Sequence, residues 1–131
     1  MKTILMIEDD PLIARVYKTQ IEKAGFQLQV ADTAEAGLLA LSTARPDLVL
    51  LDLMLPAISG VEILKRLRAD ASLAGLPVFV LTAVNFSDLA REAAQAGANR
   101  VFDKAKIIPL DILDAIEEDG IFDPTPAARA C

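Results

Sequence analysis

Three acids, Glu8, Asp9 and Asp10, follow the apolar run Ile4-Leu5-Met6-Ile7 and stop at Pro11. Asp52 closes a second apolar run in LVLLDLMLP, Thr82 closes a third in FVLTA, and Lys104 lies just past a fourth in VFDKAK. Carboxylates crowded together repel one another, and taking them out of water is costly. A hard divalent cation relieves both problems, and magnesium favours a few carboxylates together with substrate phosphate. With that charge neutralised, a phosphoryl donor can approach a pocket that would otherwise repel it. Asp52 then has the chemistry of a nucleophile that carries an acyl phosphate. Thr82 can donate a hydrogen bond to one phosphoryl oxygen, and Lys104 can pair with another.

Each of these residues also has a plainer reading. Acids after a strand often cap the next helix and favour its dipole, and for Asp10, beside Pro11, that reading stands level with a metal role. Threonine is common at strand ends, and a single lysine is ordinarily a solvated one. Asp52 is harder to set aside, because it ends an apolar run that offers it no water. The set is specific where its members are not.

What must position the set is legible in the hydropathy pattern. The runs at Ile4–Ile7, Leu48–Leu51, Val78–Leu81 and the shorter Val101-Phe102 do not alternate with polar residues. That suggests strands covered on both faces, as in a parallel sheet. Phe26-Gln27-Leu28-Gln29-Val30 does alternate, as a strand nearer an edge would. Helical spacing fills the intervals. Residues 11–24 carry Leu12, Val16 and Ile21 on one side, and residues 33–44 follow a cap at Asp32 or Thr33. Residues 59–69 and 86–96 come next, the latter closed by Gly97, and a last helix runs from Pro109 past Ile116 to a stop at Gly120. Alternating strands and helices predict an α/β sheet with right-handed crossovers. Ligands of such sheets bind beyond the carboxyl ends of the strands, which is where the chemistry-bearing residues fall.

Composition narrows the function. At 131 residues and 53% apolar the chain suits one domain with a substantial core. Its net charge of −6, with scattered cations, argues against direct nucleic-acid binding. The absence of histidine excludes histidine metal sites, histidine-based triads and self-phosphorylation on histidine. A lone Cys131 allows no intrachain disulfide and fits a reducing cytosol. The short N-terminal apolar run is neither a signal peptide nor a membrane span, so a cytoplasmic domain without membrane contact is expected.

The stretches ILMIEDDP, PDLVLLDLMLPAISG, PVFVLTA and AGANRVFDKA resemble the receiver domain of two-component response regulators, including stand-alone chemotaxis-type receivers. The resemblance spans about residues 2 to 118, and its most specific part runs from Asp52 through Pro56 to Gly60. It implies a flavodoxin-like, doubly wound (βα)5 fold with a five-stranded parallel sheet of order 2-1-3-4-5. It implies Asp52 as phosphoacceptor, with Mg2+ held by Glu8, Asp9, Asp52 and the backbone carbonyl of Met54. Thr82 and Lys104 are assigned to the phosphoryl group. The donor implied is a histidine kinase or a histidine phosphotransfer protein, and the downstream protein target is unknown. The expected organisation is a receiver over residues 1–119 and a loose tail over 120–131.

Two positions depart from the family pattern. Val101 stands where an aromatic ring is usual, which removes the ring that swings inward on phosphorylation. Ala105 replaces the proline after Lys104, and a non-proline cis bond costs about 2.5–4 kcal/mol. A trans bond, a repositioned loop and an atypical output face are therefore expected, with the phosphorylation chemistry intact. Apolar Met54 and Val84 beside the site predict slow self-dephosphorylation. A haloacid-dehalogenase-type phosphatase would need a second acid at Met54, and an FMN carrier would need a phosphate-cradling loop where EDDP stands. The remaining alternative is a receiver that docks a partner without phosphorylation. With no DNA-binding or catalytic segment in the sequence, output is expected through protein contacts, and the chain is not expected to be an enzyme.

Overall fold

The computed structural model describes residues 2–83 and 88–121. Five strands alternate with five helices: β1 (Thr3–Ile7), α1 (Pro11–Lys23), β2 (Gln27–Ala31), α2 (Ala34–Thr43), β3 (Leu48–Asp52), α3 (Gly60–Ala69), β4 (Val78–Thr82), α4 (Asp88–Gln95), β5 (Arg100–Asp103) and α5 (Pro109–Glu118). The strands form one parallel sheet in the order β2-β1-β3-β4-β5. The fold is the flavodoxin-like doubly wound one expected from the sequence. The beginning of the 86–96 helix, Val84 and the tail beyond Ile121 lie outside the described residues.

Burial on both faces explains the unbroken apolar runs. Ile4, Met6, Leu48, Leu50, Phe79 and Leu81 pack with Tyr17 and Ile21 of α1 and Ile112, Ala115 and Ile116 of α5. Leu5, Ile7, Val49, Leu51, Val78 and Val80 face α2, α3 and α4 on the other side. Fully burying each such side chain contributes about 1.5–3 kcal/mol. β2 lies at an edge and keeps the alternation read from its sequence.

Helix entries are set by side-chain caps. Thr33 caps α2 by accepting from Ala36 N at 3.0 Å, and Ser59 caps α3 by accepting from Glu62 N at 3.3 Å. The inward face of α1 differs from the one expected. Ala14, Tyr17 and Ile21 are buried, whereas Leu12 and Val16 are 70% and 51% exposed. At 100° per residue, positions 12 and 16 lie on the opposite side of the helix from 14, 17 and 21. Leu110, at the start of α5, is likewise exposed, the inward residues being Ile112, Ala115 and Ile116.

Candidate phosphoacceptor site

Strand register brings the predicted residues to one edge of the sheet. The ladder runs one residue past two strands: Glu8 N–H donates to Ala31 O at 3.0 Å, and Lys104 N–H donates to Thr82 O at 2.8 Å. Side-chain alternation therefore carries through to these residues. Glu8 continues the Ile4–Met6 series, Asp52 the Leu48–Leu50 series and Lys104 the series through Phe102, all on the α1/α5 face. Thr82 continues the Val78–Val80 series on the opposite face and sits one residue beyond Leu81, the β4 partner of Asp52. Glu8, Asp52 and Thr82 are the buried polar residues of the described chain.

Lys104 ties the centre together. Its Nζ lies 2.7 Å from Glu8 Oε1 and 3.0 Å from Asp52 Oδ2. The other Asp52 oxygen, Oδ1, accepts from Met54 N–H at 3.0 Å, so both oxygens of this carboxylate are oriented. Glu8 Oε2 accepts from Asp10 N–H at 3.1 Å. Burial pushes the Glu8 carboxyl up to about 7, against the pull of Lys104 and the Asp10 N–H, and the Asp52 charge adds to the rise. Burial alone would lower the Lys104 ammonium, but the facing carboxylates of Glu8 and Asp52 hold it above its usual value. Tyr17, packed beneath, is raised to about 12 by burial and by the charges of Asp111 and Glu8.

One carboxylate oxygen from each of Glu8, Asp9 and Asp52 lies within 4.8 Å of the others, and Asp9 faces solvent. Glu8 Oε1 is buried and, despite its ion pair, takes no well-formed hydrogen bond. A buried acceptor left this way, beside two more carboxylates, fits a hard cation that takes oxygen ligands. Asp10 does not join them. Its carboxylate accepts from Leu12 N at 2.9 Å and Ile13 N at 3.4 Å as the cap of α1, which decides between its two readings. Met54, whose carbonyl is the implied fourth ligand, follows β3 with its side chain half exposed.

A family model for the response regulator receiver domain matches residues 4–117. The chain belongs to that family. Among its relatives, the phosphate regulon regulatory protein PhoB of Pseudomonas aeruginosa is 33% identical over 98 residues, covering 75% of this chain and 43% of that protein. The KDP operon regulatory protein KdpE of Escherichia coli is 36% identical over 104 residues, covering 79% and 45%. The receiver thus spans less than half the length of these curated relatives. In structure it is similar to a CheY-like receiver domain protein of Methanospirillum hungatei JF-1, with a TM-score of 0.83 and 28% identity over 91% of this chain and 93% of that one. The Francisella response regulator 1452 receiver domain superposes with a TM-score of 0.81 at 25% identity, over 89% and 94%.

The two departures from the family pattern are visible in this receiver. No peptide bond among the described residues is cis, so Lys104–Ala105 is trans as expected. Val101 is 36% exposed on β5, at the sheet edge. Among the described residues no helix is long and apolar enough to cross a membrane.

Sequence reasoning passed over Arg68. Its guanidinium donates to Gly97 O, Ala74 O, Leu76 O and Asn99 Oδ1, tying the end of α3 to the turns that precede β4 and β5. No local pattern marks an arginine at a helix end for that role, because its acceptors, three backbone carbonyls and the Asn99 side-chain oxygen, are brought near by the fold.

Proposed function

We propose that this receiver accepts a phosphoryl group on Asp52, with Mg2+, from a histidine kinase or histidine phosphotransfer protein, and passes the signal on through protein contacts. What carries the reading is the position of Lys104 between the two buried carboxylates, 2.7 Å from Glu8 and 3.0 Å from Asp52. In the transfer, the P–N bond of a phosphohistidine donor breaks as a P–O bond to Asp52 forms. The electron pair of the broken bond returns to the imidazole nitrogen. Met54 N–H and Lys104 hold the attacking carboxylate in one orientation, so little reorientation is needed at the moment of reaction. Lys104 then faces charge developing on the phosphoryl oxygens, and Thr82, at the end of the neighbouring strand, supplies a hydroxyl to the same group. Glu8, Asp9, Asp52 and the Met54 carbonyl are the residues that would hold the metal, which neutralises phosphoryl charge when bound.

The receiver is its own substrate in this half-reaction, so it is not an enzyme that turns over. Cytoplasmic placement follows from the donor it needs. Addition of beryllofluoride with Mg2+ tests the reading. The amide resonances of Leu53, Met54 and Lys104 should shift together in NMR spectra, and spectra left unchanged would instead support a receiver that docks its partner without phosphorylation.

A further inference from the structure

Gly60 opens α3 at a place where nothing larger fits. A β-carbon there would lie 2.5 Å from the carbonyl oxygen of Asp52, 2.7 Å from Leu53 Cα and 3.0 Å from Leu53 Cδ2. The backbone of Gly60 is not in the left-handed region, which among the described glycines is occupied by Gly25, Gly97 and Gly120. The demand at residue 60 is therefore for space rather than for conformational freedom. Its N–H donates to Leu53 O at 3.1 Å, so the first turn of α3 rests on the main chain of the residue that follows Asp52. Gly37 makes a useful contrast. A β-carbon there would press on the Ile7 side chain, Cδ1 at 2.6 Å and Cγ1 at 2.9 Å, whereas the atoms facing Gly60 include main-chain ones of Asp52 and Leu53.

The loop between β3 and α3 has a second constraint. Ala57 has φ 69°, and Ile58 N–H donates to Pro56 O at 2.8 Å across it. This is a γ-turn of the rare, positive-φ kind, strained for a residue with a β-carbon. The segment from Asp52 to Gly60 is thus held by a strained turn near its middle and by a close backbone contact at its end.

We propose that Gly60 is a positioning residue for Asp52. The bare α-carbon lets α3 seat on the Asp52 carbonyl, and that seating sets where the carboxylate stands between Lys104 and the acids at the end of β1. A side chain at residue 60 pushes the end of β3 outward and carries Asp52 and Met54 with it. The role rests on the phosphoacceptor reading given above.

The test compares Gly60→Ala with Gly97→Ala, whose strain falls at φ +108° on the opposite edge of the sheet, against Arg68. Magnesium affinity is measured per folded molecule, along with the beryllofluoride-induced shifts of the Leu53 and Met54 amides. The expected result is a loss of about tenfold in Mg2+ affinity for Gly60→Ala, the size seen when ligands are held wrongly, with Gly97→Ala within about twofold of the parent. Because Gly60→Ala can fail to fold, it is also made together with Ala57→Gly, which relieves the strained turn. Unchanged Mg2+ affinity and unchanged amide shifts in a folded Gly60→Ala overturn the proposal. So does failure of both Gly60 variants to fold while Gly97→Ala folds, since the glycine is then a requirement of the fold alone. An unsubstituted receiver that takes up neither Mg2+ nor beryllofluoride overturns the phosphoacceptor reading, and this role with it.

Discussion

Lys104 and Glu8 are 96 residues apart in the chain and 2.7 Å apart in space, and the same ammonium reaches Asp52 at 3.0 Å. One ammonium therefore faces two buried carboxylates at the ends of neighbouring strands. Removing it strands both charges, which is the costly way to break a buried ion pair. Lys104→Met, which keeps most of the aliphatic stem, is expected to destabilise the metal-free receiver by about 3 kcal/mol in urea unfolding at pH 8. Saturating Mg2+ should restore part of that loss, and an equal loss with and without Mg2+ would contradict the account.

The high Glu8 carboxyl gives the site a pH dependence with a definite sign. Below about 4.5 the group is protonated folded and unfolded; above that, the folded state keeps a proton the unfolded state has lost, up to about 7. Its contribution to stability is thus fully present below about 4.5 and is lost as pH rises through about 7. Magnesium requires the ionised form, so its affinity runs the other way. Isothermal titration should show Mg2+ binding strengthening by about tenfold from pH 6 to pH 8, with Glu8→Gln weaker throughout and much flatter.

Arg68 provides a stability prediction away from the chemistry. Its bonds to Gly97, Ala74, Leu76 and Asn99 hold the turns before β4 and β5, and burial lowers its pKa. Arg68→Ala leaves these acceptors to find water, and a loss of about 2 kcal/mol is expected in thermal or urea unfolding. Asp52 lies at the other end of the strands, so acceptance of a phosphoryl group by the folded fraction should be unchanged.

Met54 bears on the lifetime of the modified state. Its half-exposed thioether stands two residues from Asp52 and offers no strong hydrogen bond to an attacking water. Met54→Asn places an amide there that can orient one. Acyl-phosphate decay followed by mass spectrometry should be several-fold faster in the variant, with phosphorylation itself retained.

The strands were legible because burial on both faces leaves unbroken apolar runs, their order came only with the resemblance to receivers, and the site was legible because a parallel sheet presents its strand ends on one edge. Asp52 and Thr82 are the last residues of β3 and β4, as the apolar runs they close indicate. What was illegible depends on contacts across the chain. Asp10 could be assigned only once its carboxylate was seen on Leu12 and Ile13 N–H. Leu12 and Val16 are strongly apolar yet lie on the outer side of α1, while the small Ala14 marks its inner face, because helical phase and not hydrophobicity alone decides which side is covered. Gly60 was visible as part of a motif, but the approach of α3 to the Asp52 carbonyl that requires it has no local signature.

The most direct test of the central claim is intact-mass spectrometry after incubation with acetyl phosphate, with and without Mg2+, on the receiver and on Asp52→Asn. The account predicts a single phosphoryl adduct that needs Mg2+ and is missing from the variant. No adduct on the unsubstituted receiver, under conditions that label a known receiver, would contradict it.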